Sequence, residues 1–166
     1  MAGYKMPEQK PVQEAFELIQ KAYEQQMEGD IDLAVKTYKQ SISKFPTAEA
    51  HTFLGWAYGF QGKLEEAIEE CKKAISIDPD FGNPYNDIGA YLIELESYEE
   101  AIPWLKKAVR AKRYDTRHYP HFNLGRVYLQ KDLINKAIVE FQKAIEICPG
   151  YPPAVEILEK LKITFH

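Results

Sequence analysis

Cysteine is scarce in this chain. Cys71 and Cys148 are the two in 166 residues, and they match no metal-ligand spacing. Their number fits a reducing compartment. Long apolar runs are missing as well. No window reaches the roughly 18 apolar residues that a membrane-crossing helix needs. The opening stretch MAGYKMPEQKPVQEAF lacks the apolar core of a secretory signal, so the expected location is cytoplasmic. Neither sign of charge is in large excess: 21 Lys and Arg face 25 Asp and Glu, for a net charge of -4. That balance speaks against a dedicated nucleic-acid binder. Also absent are the phosphate loop GxxxxGK[ST], the GxSxG elbow and the zinc motif HExxH. What remains is a folded chain, 45% hydrophobic and 28% charged, of a length suited to one domain with a core.

The chain repeats itself. Residues 15–46 (AFELIQKAYEQQMEGDIDLAVKTYKQSISKFP) align with 48–79 (AEAHTFLGWAYGFQGKLEEAIEECKKAISIDP), 82–113 (GNPYNDIGAYLIELESYEEAIPWLKKAVRAKR) and 118–149 (HYPHFNLGRVYLQKDLINKAIVEFQKAIEICP). Position 8 of the repeat is small: Ala22, Gly55, Gly89, Gly125. Position 20 is alanine: Ala34, Ala67, Ala101, Ala137. Position 27 is Ser41, Ala74, Ala108, Ala144, and position 24 carries a larger side chain: Tyr38, Cys71, Leu105, Phe141. Pro46, Pro79 and Pro149 close three of the units.

Each unit reads as two antiparallel helices. The small residues let backbones approach, and bulkier ones at positions 7, 11 and 24 fill the spaces between. Turns fall at Gly29-Asp30, Gly62-Lys63, Glu96-Ser97 and Lys131-Asp132. A closing proline ends a helix because it lacks an N–H and restricts its predecessor. The expected helices span 12–27, 31–44, 47–60, 64–77, 84–95, 98–111, 118–130, 134–147 and 152–163. The extra residues RYDTR lengthen the connection after the third unit and are expected to displace the stacking there slightly.

This pattern resembles the tetratricopeptide repeat. Leu54, Gly55, Tyr58, Ala67, Ala74 and Pro79 carry the likeness in the second unit, and Leu124, Gly125, Tyr128, Ala137, Phe141, Ala144 and Pro149 in the fourth. The first unit departs most, with Lys21 and Gln25 where the family has apolar residues; an end repeat tolerates polarity on its unstacked face. The resemblance implies an all-α, right-handed superhelical solenoid of four tetratricopeptide helical hairpins with a C-terminal capping helix. The implied layout is a loosely ordered tail at 1–11 and a single domain at 12–163. Its repeats run 15–47, 48–81, 82–117 and 118–151, with the cap at 152–163. Val155, Leu158 and Leu161 would form the cap's apolar side, and Glu156, Glu159, Lys160 and Lys162 its wet side.

The family resemblance also implies which face works. Positions 2, 5, 6, 9, 12 and 13 line a concave groove, which places Phe16, Ile19, Gln20, Tyr23, Gln26 and Met27 of the first unit there. From the second come Glu49, Thr52, Phe53, Trp56, Gly59 and Phe60. The expected peptide-binding residues are Tyr23, Phe53, Trp56, Phe60, Tyr119 and Phe122 as apolar pockets, with Asn86, Asn123, Arg126 and Gln130 as polar holds. Aromatic and arginine anchors ringed by polar groups are typical of binding hot spots. The implied role is a non-enzymatic scaffold or adaptor that binds an apolar or amphipathic protein segment. The competing reading has several of these aromatics packing between hairpins, or a terminal segment covering part of the groove.

The family's clamp for a chaperone C-terminus needs lysine, asparagine and arginine at set positions. One frame offers Ile19, Tyr23, Phe53, Asn83 and Asp87, and the next offers Thr52, Trp56, Asp87, Tyr119 and Asn123. Neither matches, and Asp87 would repel a carboxylate. Two alternatives stay open. One is self-association through the end repeats. The other is an acidic partner or nucleic acid on the basic cluster Lys106, Lys107, Arg110, Lys112, Arg113 and Arg117, which also reads as a solvated helix face. His51, His118 and His121 lack the thiol or carboxylate spacing of a zinc site. No catalytic residue, metal or cofactor is expected.

Overall fold

The computed structural model describes residues 9–164, with side chains described as far as residue 162. The chain forms two compact units that divide after Pro79. The first contains α1 (Gln9–Met27), α2 (Ile31–Lys44), α3 (Ala48–Phe60) and α4 (Leu64–Ile77). The second contains α5 (Asn83–Glu94), α6 (Tyr98–Arg110), α7 (His118–Gln130), α8 (Ile134–Ile147) and α9 (Pro152–Thr164). Helices pair as α1–α2, α3–α4, α5–α6 and α7–α8, which gives four hairpins and a closing helix.

Boundaries agree with the sequence expectation to within a residue, except at the start. Gln9, Lys10 and Pro11, assigned to the loose tail, instead form the first turn of α1. Proline is tolerated there because first-turn N–H groups have no helical partner. Residues 1–8 of that tail lie outside the described residues.

The repeat positions explain the packing. Ala34, Ala67, Ala101 and Ala137 are fully buried, as are Ser41, Ala74, Ala108 and Ala144. Ser41 replaces alanine at no polar cost, because its Oγ donates to the Ala15 carbonyl at 2.8 Å. The four inter-helix turns share one geometry. Gly29, Gly62, Glu96 and Asp132 all adopt left-handed φ, at 94°, 74°, 57° and 56°. The next residue's N–H then reaches back five positions: Asp30 to Gln25, Lys63 to Tyr58, Ser97 to Leu92 and Leu133 to Tyr128, at 2.8–3.0 Å. This satisfies carbonyls that the helix end would leave open.

In the first unit α2 packs on α3, and Ile19, Ala22, Val35, Tyr38, Leu54 and Ala57 form the core. Gln25 is not on an open face. It is buried, and Thr37 Oγ1 donates to its side-chain oxygen at 2.7 Å, so its polarity is satisfied inside the hairpin. In the second unit α9 closes the end, with Ala154 and Leu158 buried against Phe141 and Ala144. Glu156, Glu159, Lys160 and Lys162 are exposed.

The inserted RYDTR segment is tied down. Arg113 N donates to the Asp80 carbonyl and Gly82 N donates to the Arg113 carbonyl, both at 3.0 Å. Tyr114 is buried directly on Gly82, where a Cβ would fall 2.4 Å from the tyrosine. Only glycine fits beneath that ring.

Candidate functional site

In the first unit, Phe16, Tyr23 and Met27 fall along one stripe of α1, spaced at roughly whole helical turns, and all three are exposed. Phe53, Trp56 and Phe60 form the matching stripe on α3, which touches α1. The two stripes meet. Tyr23 meets Phe53 edge-on at 5.9 Å and lies 6.3 Å from Trp56. Trp56 lies 6.3 Å from Phe53 and 5.4 Å from Phe60. Phe53 roots the cluster by stacking on the buried Tyr38 at 6.0 Å. Its outer members remain in water, with Phe60 59% and Tyr23 41% exposed.

Three inner-face expectations differ. Ile19, Gln26 and Thr52 are buried, because positions 5 and 12 turn toward the adjoining helix instead of the open face. Gln26 accepts from Tyr38 Oη at 3.1 Å, and Thr52 Oγ1 donates to the Ala48 carbonyl at 2.7 Å. Burial, and to a lesser degree the neighbouring Tyr23, push the Tyr38 phenol far above its usual range.

In the second unit the predicted residues fall into three kinds of environment. Tyr119 and Gln130 are exposed. Phe122 is half-buried in the core formed with α8 and α9, 5.6 Å from Phe141 and 5.3 Å edge-on from Tyr151. Tyr151 also meets Tyr119 at 5.9 Å and His118 at 5.0 Å. The segment leading into α9 therefore covers part of this face, and Phe122 is a packing residue. Asn86 and Asn123, expected to hold a peptide, are buried and bonded to each other: Asn123 Nδ2 donates to Asn86 Oδ1 at 3.0 Å. Arg126 Nη1 in turn donates to Asn123 Oδ1 at 3.1 Å.

The basic cluster is dispersed among separate structural tasks. Arg117 Nη1 donates to the Val109 carbonyl at 2.7 Å, near the end of α6. Lys107 lies over Trp104 at 4.8 Å, Arg113 over Phe81 at 4.1 Å, and Lys112 beside Asp80 at 3.4 Å. Lys106 and Arg110 are exposed on α6.

Two of the histidines have a use that the sequence reading missed. His51 Nδ1 bonds Glu70 at 2.7 Å, and Lys73 bonds the other oxygen of Glu70 at 2.6 Å. His121, Glu140 and Lys143 repeat the set at 2.6 and 2.8 Å. Burial pushes both carboxyls up, but the hydrogen bonds from histidine and lysine outweigh it and hold them below the usual range. The signal was legible: both sets occupy repeat positions 4, 23 and 26. Among the described residues no group of three or more His, Cys, Asp and Glu is arranged to hold a metal, and no helix is long and apolar enough to cross a membrane.

Four hairpins of small-residue packing define a class, the helical-repeat protein, here with an aromatic face partly open to water on its first unit. Tetratricopeptide-repeat models match residues 8–48, 48–81, 83–115 and 119–151. The chain belongs to the tetratricopeptide-repeat family. It is 27% identical over 137 residues to the rat mitochondrial import receptor subunit TOM70, covering 81% of this chain and 22% of that one. It is 28% identical over 135 residues to the type IV pilus assembly protein PilF of Pseudomonas aeruginosa, covering 80% of this chain and 54% of that one. The chain thus spans about a fifth and about half the length of these two relatives. A solved structure of Pseudomonas aeruginosa PilF superposes with a TM-score of 0.88 at 24% identity, over 93% of this chain and 70% of that one, a likeness of fold. The structure of MamA gives 0.70 at 27% identity, over 82% of this chain and 80% of that one.

Proposed function

We propose that the face formed by Tyr23, Phe53, Trp56 and Phe60 receives an apolar or amphipathic segment of a partner protein. The observation that carries this reading is the continuity of the cluster. Four rings from α1 and α3 touch in sequence, yet Tyr23 and Phe60 remain largely in water. Holding such a surface against solvent is unfavourable, by roughly 25 cal/mol for each Å² of apolar area. A contiguous exposed patch with rigid aromatic anchors is a common mark of an interaction surface. Phe60 is the last residue of α3 and is 59% exposed.

Two relatives are named for work on other proteins, an import receptor subunit and a pilus assembly protein, which supports a scaffold reading here. A cytoplasmic location accords with two free cysteines, one of them buried. The test is capture of a partner by the chain and by a Trp56→Ala/Phe60→Ala double variant. The variant should keep its helicity and lose the partner; equal capture by both would refute the assignment.

A further inference from the structure

Charge is unevenly shared along this chain. Residues 1–79 hold nine lysines and no arginine against thirteen acidic side chains, whereas residues 80–166 hold twelve of each sign. The whole net charge of -4 therefore belongs to the part of the chain that forms the first unit, which also bears the aromatic face. Within that unit the carboxylates follow the face closely. On α1 each exposed apolar residue of the stripe is followed by an exposed glutamate: Phe16 by Glu17, Tyr23 by Glu24 and Met27 by Glu28. Each glutamate lies about 100° further around the helix, on the side opposite the buried Ala15, Ile19 and Ala22. The glutamates thus edge the stripe along its outer margin, with Lys21 the one cation in their row. On α3, Glu49 precedes Phe53 by one turn, and that helix carries no lysine or arginine.

Most lysines of the unit are engaged elsewhere. Lys44 pairs with Glu14 at 3.1 Å, Lys72 with Glu69 at 2.7 Å and Lys73 with Glu70 at 2.6 Å. Lys39 and Lys63 lie over the Tyr58 ring at 5.6 and 5.7 Å. Among the described residues, Glu24 and Glu28 form no ion pair. The margin of the face is therefore net acidic, while its middle is aromatic.

We infer that the segment received by this face is a basic amphipathic helix, with lysine or arginine flanking its apolar residues. The inference rests on the reading that the aromatic face binds a partner segment, and adds that partner's charge. Apolar residues of the helix would cover Tyr23, Phe53, Trp56 and Phe60, and its flanking cations would meet Glu24 and Glu28. Charges at the rim of an interface steer encounter and reject partners of the wrong sign. Lysine and arginine suit both parts of the surface. Their stems cover apolar area while the charged head stays in water, and the head also lies favourably over an aromatic ring, as Lys39 and Lys63 do over Tyr58. An acidic segment would meet repulsion along the same margin.

The test uses two blocked model peptides with the same leucine stripe at helical spacing, one with lysine and one with glutamate flanking it. Binding to a Trp104→Phe chain is followed by Trp56 emission and by the anisotropy of a labelled peptide. The lysine peptide should bind about tenfold more tightly than the glutamate peptide, and the ratio should shrink as salt rises. Glu24→Gln/Glu28→Gln should lower the ratio about threefold. Glu65→Gln/Glu66→Gln makes the same change of charge at two exposed residues of α4 and should leave the ratio unchanged. Equal binding of the two peptides, no saturable binding of the lysine peptide, or an equal loss in the α4 variant would overturn the inference. So would Trp56 emission that changes with chain concentration in the absence of peptide, the mark of a second copy on the face. Equal binding with a saturable Trp56 response would leave the aromatic face standing as a docking surface. Peptide binding seen by anisotropy while Trp56 emission stays unchanged would remove the face itself.

Discussion

Gly125 lies so close to Phe141 that a Cβ on the glycine would fall 2.5 Å from the ring. The same pair of repeat positions recurs as Gly89 with Leu105, where the distance would be 2.3 Å, and as Gly55 with Cys71, at 3.2 Å. In the first hairpin both positions are again fully buried, as Ala22 and Tyr38. The contact between first and second helix is thus set by one small and one filling residue.

Gly125→Ala is expected to destabilise the chain by about 1–3 kcal/mol, the usual cost of overpacking. Shortening the partner should recover part of it. In urea denaturation, Gly125→Ala/Phe141→Leu should lose less than the sum of the two single variants, and strict additivity would show that the pair does not interact.

Glu96 and Asp132 hold left-handed backbone without being glycine. Replacing either by glycine relieves a strain of about 1–2 kcal/mol, partly offset by the greater freedom glycine gives the unfolded chain. Glu96→Gly and Asp132→Gly should each raise the thermal midpoint, and Gly29→Ala and Gly62→Ala should lower it. The reverse ordering would contradict the shared turn geometry.

Three buried or half-buried carboxyls should pull stability in opposite directions with pH. Glu70 and Glu140 lie below their unfolded range, so their contribution is present above about pH 4.5 and lost as pH falls through the lower folded value. Asp87 is raised to about 7, so the folded state binds its proton more tightly, and its contribution falls as pH rises from about 4 to 7. Asp87→Asn should therefore be more stable than the parent at pH 8, with the gain fading near pH 4. Glu70→Gln should be less stable at pH 7, with the loss shrinking in acid. Chemical denaturation across pH 3.5–8 distinguishes the two trends.

The fold was legible because its determinants are many and periodic. Ala34, Ala67, Ala101 and Ala137 recur in phase, and each is fully buried. The site was less so, since a repeat position gives a side chain's direction but not what it meets. Trp56 and Phe60 of α3 are partly open to water, whereas Phe122, at repeat position 5, packs against Tyr151, a residue outside the aligned repeat segments. Asn86 and Asn123 looked like free polar holds until their side chains proved to bond each other across two helices. Pairings of that kind depend on distances between helices that a single unit's pattern does not contain.

Trp56 offers the most direct measurement. The chain has two tryptophans, and the second, Trp104, sits in the other unit beside Tyr85 at 6.1 Å. In a Trp104→Phe chain, the emission of Trp56 alone reports on the aromatic face. Titration with the partner that co-purifies from the native cell should shift that emission saturably to shorter wavelength as water leaves the ring. Phe60→Ser should weaken the response. A complex that forms while Trp56 emission stays unchanged would contradict the placement of the bound segment on this face.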